Sequence, residues 1–151
     1  MVENQQALEK ARSKRRDLYD ALVDVESAAQ APVGSGRWRG TMLHELDDLA
    51  KAFEAHVIAT EAAEGIIESV VDDEPRLAPT GEYLKREHVA IRLQLAAVTN
   101  EVSATASPTS MDEAGMVREL ILELFIALSR HRQRGSDFVW EAYDVDIGGG
   151  S

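Results

Sequence analysis

There is no cysteine anywhere in this chain, which excludes a disulfide framework, a thiolate-ligated zinc site and a thiol nucleophile. Basic charge is also short, at 16 Lys+Arg against 27 Asp+Glu for a formal net charge of −11. A sequence-blind grip on nucleic-acid phosphates, or on an anionic membrane surface, needs the opposite sign. Long apolar runs are missing as well. Stretches such as Leu124–Phe125–Ile126–Ala127–Leu128 are broken by charge well short of the ~20 residues a spanning helix needs, and Glu3 interrupts any amino-terminal signal pattern. The expectation is a cytoplasmic protein with no membrane partner and no nucleic-acid partner. Phosphate-cradling glycine loops, a nucleophile elbow and a catalytic triad are absent too, so the residues give no case for an enzyme.

What is present fits a single folded domain. The 151 residues suit one core, and 44% hydrophobic with 28% charged residues is enough to bury it. Only four prolines occur, Pro32, Pro75, Pro79 and Pro108, and because proline is excluded from helix interiors they act as punctuation. Turn residues accompany them: Gly34–Ser35–Gly36, Asp72–Asp73, Thr80–Gly81 and Ser107–Pro108–Thr109–Ser110. The intervening stretches are rich in Ala, Leu, Glu and Arg and lack the alternating Val/Ile/Thr of strands, which predicts helices over 4–30, 40–71, 81–104 and 111–142. Ser110 followed by Glu113 has the form of a capping box for the last of them. Rods on the order of 35–45 Å joined by short links pack as antiparallel neighbours. The expected architecture is all-α, an antiparallel up-down-up-down four-helix bundle over residues 1–147, with 148–151 a flexible tail.

The buried stripe of each helix can be walked in steps of three and four residues. The first runs Leu8, Ala11, Arg15, Leu18, Leu22, Val25, Ala29, and the second Leu46, Leu49, Phe53, His56, Thr60, Ala63, Ile67, Val70. The third runs Leu84, His88, Ile91, Leu95, Val98, Val102, and the fourth Val117, Leu120, Leu124, Ala127, His131, Gly135, Phe138, Ala142. Every stripe is broken partway along by a polar or small group, and in three of the four the break includes a histidine. His44 falls off the stripes and is expected at the surface. A lone histidine at such a position is usually a hydrogen-bonded core residue. Three on facing helices are also how bundles build metal sites.

The two halves repeat weakly. Arg15 precedes His56–x–x–x–Thr60, and His88 precedes His131–x–x–x–Gly135, at separations of forty-one and forty-three residues. On this pattern, and on the strings Phe53–Glu54–Ala55–His56 and Glu87–His88–Val89–Ala90–Ile91, residues 8–143 resemble the hemerythrin-like, or HHE, cation-binding domain. Each half of that domain carries a histidine on one helix and a His–x–x–x–Glu pair on the next, and together they bind a non-haem di-iron centre. The resemblance implies His56, His88 and His131 as metal ligands. It also implies a degenerate site, with Arg15 where the first histidine belongs and Thr60 and Gly135 where the two carboxylates belong. Two iron ions a few ångströms apart repel and are held together by anionic bridges, so an intact di-iron cofactor is not expected.

Three outcomes remain for the central layer. Arg15 lies across it and fills it, with its head on Glu61 or Asp137; or Arg15, Thr60, Gly135 and the histidines line a pocket for a small anion or organic acid; or His56, His88 and His131 hold a single metal ion, zinc being satisfied by three imidazoles, with Glu61 a possible fourth ligand. Glu61 and Asp137 are expected to pair with Arg15, Arg130 or Arg134 at the bundle rim. The alternative function is a metal-free structural or protein-interaction module on the same bundle. The basic cluster Lys10, Arg12, Lys14, Arg15, Arg16 reads as a solvated helix face, and Trp38 and Trp140 as packing anchors.

Overall fold

A computed structural model describes residues 2–31, 37–105 and 111–149. All regular structure among them is helical: α1 (Val2–Ala29), α2 (Trp38–Glu61), α3 (Ile66–Asp73), a 3-10 turn at Pro75–Leu77, α4 (Ala78–Ala104) and α5 (Met111–Gly149). The four long helices form a bundle in which α1 packs on α2, α2 on α4, α4 on α5 and α5 back on α1, while the short α3 lies against all four. No described helix is long and apolar enough to cross a membrane. The links at Pro32 to Gly36 and Ser107 to Ser110, Ser110 of the expected capping box and the tail residues Gly150 and Ser151 lie outside the described residues.

The second predicted helix, 40–71, is two helices. α2 stops at Glu61, Ala62 turns extended at ψ 159°, and the chain restarts at Ile66. Thr60 prepares the stop by bonding its hydroxyl back to the carbonyls of His56 and Val57, which weakens the helical ladder there. Gly65 completes it, since a Cβ at this position would lie 2.7–2.9 Å from the carbonyl oxygens of Thr60, Ala59 and Ala62. The next helix starts earlier than the predicted residue 81, at Ala78, because Pro79 is tolerated in a first turn where its missing N–H has no partner to lose. Thr80 and Gly81 are therefore helical rather than a turn. Gly81 admits α3, whose Ile67 and Val71 methyls come within 3.1 and 3.3 Å of where its Cβ would stand.

Two apolar clusters fill the bundle. The larger holds Leu18, Leu22, Val25, Trp38, Met42, Leu46, Phe53, Leu95, Val98, Val117 and Leu124 among others. The smaller holds Ala7, Ile66, Ile67, Val70, Leu77, Leu84, Phe138 and Ala142. Between them runs a layer in which the buried polar residues are His56, Thr60, His88 and His131. The seam reading matches this core closely, with three corrections, the first being that α1 buries Ala7 while Leu8 and Ala11 are half-buried. Ala63 is exposed because α2 has already ended, and in α5 Ile121 and Leu128 are buried beside the half-buried Leu120 and Ala127. Trp38 is buried at the start of α2, whereas Trp140 is 58% exposed. Near one end of the bundle, Arg39 at the start of α2 donates to the carbonyl of Ser103 at the end of α4. There too Arg118, early in α5, donates to that of Ala29 at the end of α1.

Candidate metal and ligand site

The three seam histidines converge. Ring centroids of His56, His88 and His131 are 4.7–5.4 Å apart, and one potential ligand atom from each lies within 4.8 Å of the others. Such a cluster could hold a metal ion. All three rings are kept neutral. Burial lowers His56 to about 3, reinforced by the neighbouring His131, and burial likewise lowers His88 to about 3. His131 is lowered by burial against the opposing pull of Glu87.

Two of these rings are oriented from outside the layer. Nδ1 of His88 lies 2.6 Å from Oε2 of Glu61, and Nδ1 of His131 lies 3.1 Å from Oε1 of Glu87. A neutral imidazole that donates its Nδ1 proton to a carboxylate presents Nε2 as a lone pair, the arrangement by which carboxylates set the tautomer of metal-ligating histidines. Nε2 of His56 stands 3.3 Å from Nε2 of His131. With the His131 nitrogen committed as a lone pair, His56 must donate across this contact, which leaves its own buried Nδ1 with no partner. The same 3.3 Å is also the spacing of two donors on one tetrahedral ion, since metal–nitrogen bonds of about 2.0–2.1 Å put such donors about 3.3–3.4 Å apart.

The carboxylates correct the expected pairing. Glu61 is the last residue of α2, five residues after His56, and that extra residue turns it about 100° away from the seam toward α4, where it meets His88 rather than an arginine. Asp137 accepts from Gln133 one turn earlier, and Arg134 pairs with Glu87. Glu61 thus supports a histidine from behind. The role of Glu87 escaped the sequence reading, although its position beside His88 puts it on the flank of α4 that faces α5. With Arg134 three residues after His131, the signal was a charge pair bracketing two seam histidines.

Arg15, Thr60 and Gly135 gather at the other side of the layer. Together with the three histidines they line a cavity of about 80 Å³ between α1 and α5, whose remaining walls include Leu8, Leu18, Ile67, Leu84 and Phe138. Gly135 opens it: a Cβ added there would meet nothing within 4 Å. Arg15 does not fill the layer. It is partly buried, it has no carboxylate partner among the described residues, and desolvation with repulsion from Arg132 and Arg12 lowers its pKa. Arg12 and Arg132 line the same cavity, and among the described residues no acidic one does. The basic cluster on α1 is therefore partly turned toward a pocket.

A di-iron centre does not fit these residues. The Thr60 hydroxyl is spent on its own helix, Gly135 offers no side chain, Arg15 brings a permanent cation, and Glu61 and Glu87 are engaged at the outer nitrogens of the rings. A single ion could be held by His56, His88 and His131, each of which offers one ring nitrogen within 4.8 Å of the others. No protein-family model matches the chain, and no curated protein or solved structure is significantly similar to it.

Proposed function

We propose that this chain is a hemerythrin-like, up-down-up-down bundle that has lost its di-iron centre and acts as a binding protein for one divalent transition-metal ion. His56, His88 and His131 are the ligands through Nε2, and the cavity beside Arg15 is left for a further ligand. The observation that carries the reading is the carboxylate behind each of two histidines, Glu61 on His88 and Glu87 on His131, which aims both lone pairs into the layer. Support for the topology comes from the ends that meet: the starts of α2 and α5 lie beside the ends of α4 and α1. Support for the family comes from the two-half pattern, which places Arg15, Thr60 and Gly135 around one cavity with the histidines. Zinc is the simplest occupant, because three imidazoles and one exchangeable position satisfy it without any bridging carboxylate.

A metal-free structural or protein-interaction module is the second reading. Its support is the His56–His131 contact, which also works as a hydrogen bond between two neutral rings. Titration of zinc into chelator-treated protein decides between the two. The binding reading expects one equivalent bound, lost in His88→Ala, and the module reading expects none.

A further inference from the structure

The cavity between α1 and α5 has a chemistry that the metal reading does not use. Its walls are mainly aliphatic and aromatic, from Leu18, Ile67, Leu84 and Phe138, with the histidine layer and Thr60 on one side, and three arginines, Arg12, Arg15 and Arg132, lie on its lining with no carboxylate beside them among the described residues. This occurs in a protein whose acidic residues outnumber its basic ones by 27 to 16. A second depression of about 340 Å³ adjoins it and shares Arg15, Tyr19 and Arg132. Arg132 is stacked on Tyr19, 5.2 Å from the ring centroid. Asp20 is the one acid on the lining of this outer depression, which also includes Arg16. The inner cavity thus has apolar walls beneath a cationic mouth.

We propose that this cavity binds a small aliphatic monocarboxylate, with the carboxylate on Arg15 at the α1–α5 mouth and the hydrocarbon body between Ile67, Leu84 and Phe138. A guanidinium without a carboxylate of its own is the natural partner for a planar anion, which it can grip through two parallel hydrogen bonds. An inorganic anion would find charge at the mouth and no donors among the aliphatic walls. A neutral alcohol would leave the arginines unpaired. Size limits the body: about 80 Å³ is roughly half of a cavity of about 150 Å³ that accepts benzene, which leaves room for a chain of about four carbons. Gly135 is what keeps that room, because any side chain there enters the open space.

This inference rests on the pocket half of the proposed function and not on the metal half, so it is tested on the chelator-treated full chain. Pentanoate is titrated calorimetrically against the wild type, Arg15→Met and Gly135→Leu, with pentanol and inorganic phosphate as controls, and each variant is checked for helicity and cooperative melting. Expected are saturable 1:1 binding of pentanoate that weakens with added salt, an affinity lower by about tenfold or more in Arg15→Met, and no binding in a folded Gly135→Leu. Absence of pentanoate binding, equal binding of pentanol or phosphate, or undiminished binding in Arg15→Met overturns the proposal. Should Gly135→Leu fail to fold, Arg15→Met and the two control ligands decide alone. Zinc titration without pentanoate reads the metal site separately, so failure of one leaves the other standing.

Discussion

The two sides of the histidine layer are built on opposite principles. Toward α2 and α4 the carboxylates are all engaged: Glu61 holds His88, Glu87 holds His131 and Arg134, and Glu54 holds Arg92 at 2.6 Å. Toward α1 and α5 there is a cavity, a glycine, a threonine turned back on its own helix and arginines without carboxylate partners among the described residues. The closed side fixes ring orientation and tautomer. The open side fixes nothing and leaves space. A binding site needs both, and the difference shows that a bundle can be rigid at one seam and unfilled at the next while its apolar cores stay packed on either side.

Acid should expose the closed side most strongly. His56 and His88 are held near 3 in the folded protein against an ordinary 6.5, so between those values the unfolded chain takes up protons that the folded chain refuses. Stability of the metal-free protein should therefore fall as pH drops from about 6.5 toward 3, opposed in part by Glu61, whose carboxyl is raised by burial. Chemical denaturation at a series of pH values checks this. A flat profile across that window would mean that the rings are not buried neutral. His131→Ala comes next: zinc affinity should drop by more than about 100-fold, past the range expected from losing an outer partner. Glu61→Gln and Glu87→Gln sharpen the comparison further. Each removes a carboxylate that sits behind a ligand, so zinc affinity should fall by about 10–100-fold while pentanoate binding is unchanged. The smallest effect belongs to the open side. Gly135→Ala removes a helix-interior glycine at a place where the new methyl meets nothing, so thermal denaturation should show a gain of about 1 kcal/mol.

The seams were legible because period and chemistry agree: Leu84, His88, Ile91, Leu95, Val98 and Val102 are all buried, as steps of three and four require. Convergence of the three histidines followed from the same register. The break after Glu61 was not legible, because Thr60, Ala62 and Gly65 each occur inside ordinary helices and only their combination stops this one. With the break missed, Glu61 could not be placed on His88. Glu87 and Arg134 were obscured by their abundance, since a chain with 27 acids offers many plausible partners and only the packing of α4 on α5 selects one. The pocket lay between. Small residues at 60 and 135 announced the space, but whether Arg15 would fill or border it depended on where its head finds a partner, and no residue count decides that.

The central claim is that the carboxylate-backed imidazoles form one metal site. Cobalt(II), titrated into the chelator-treated protein and followed by its visible absorption, tests it most directly. A single equivalent should bind with the intense visible bands of a low-coordinate site, be displaced by zinc and be lost in His88→Ala. No visible complex, or a stoichiometry of two ions per chain, would contradict it.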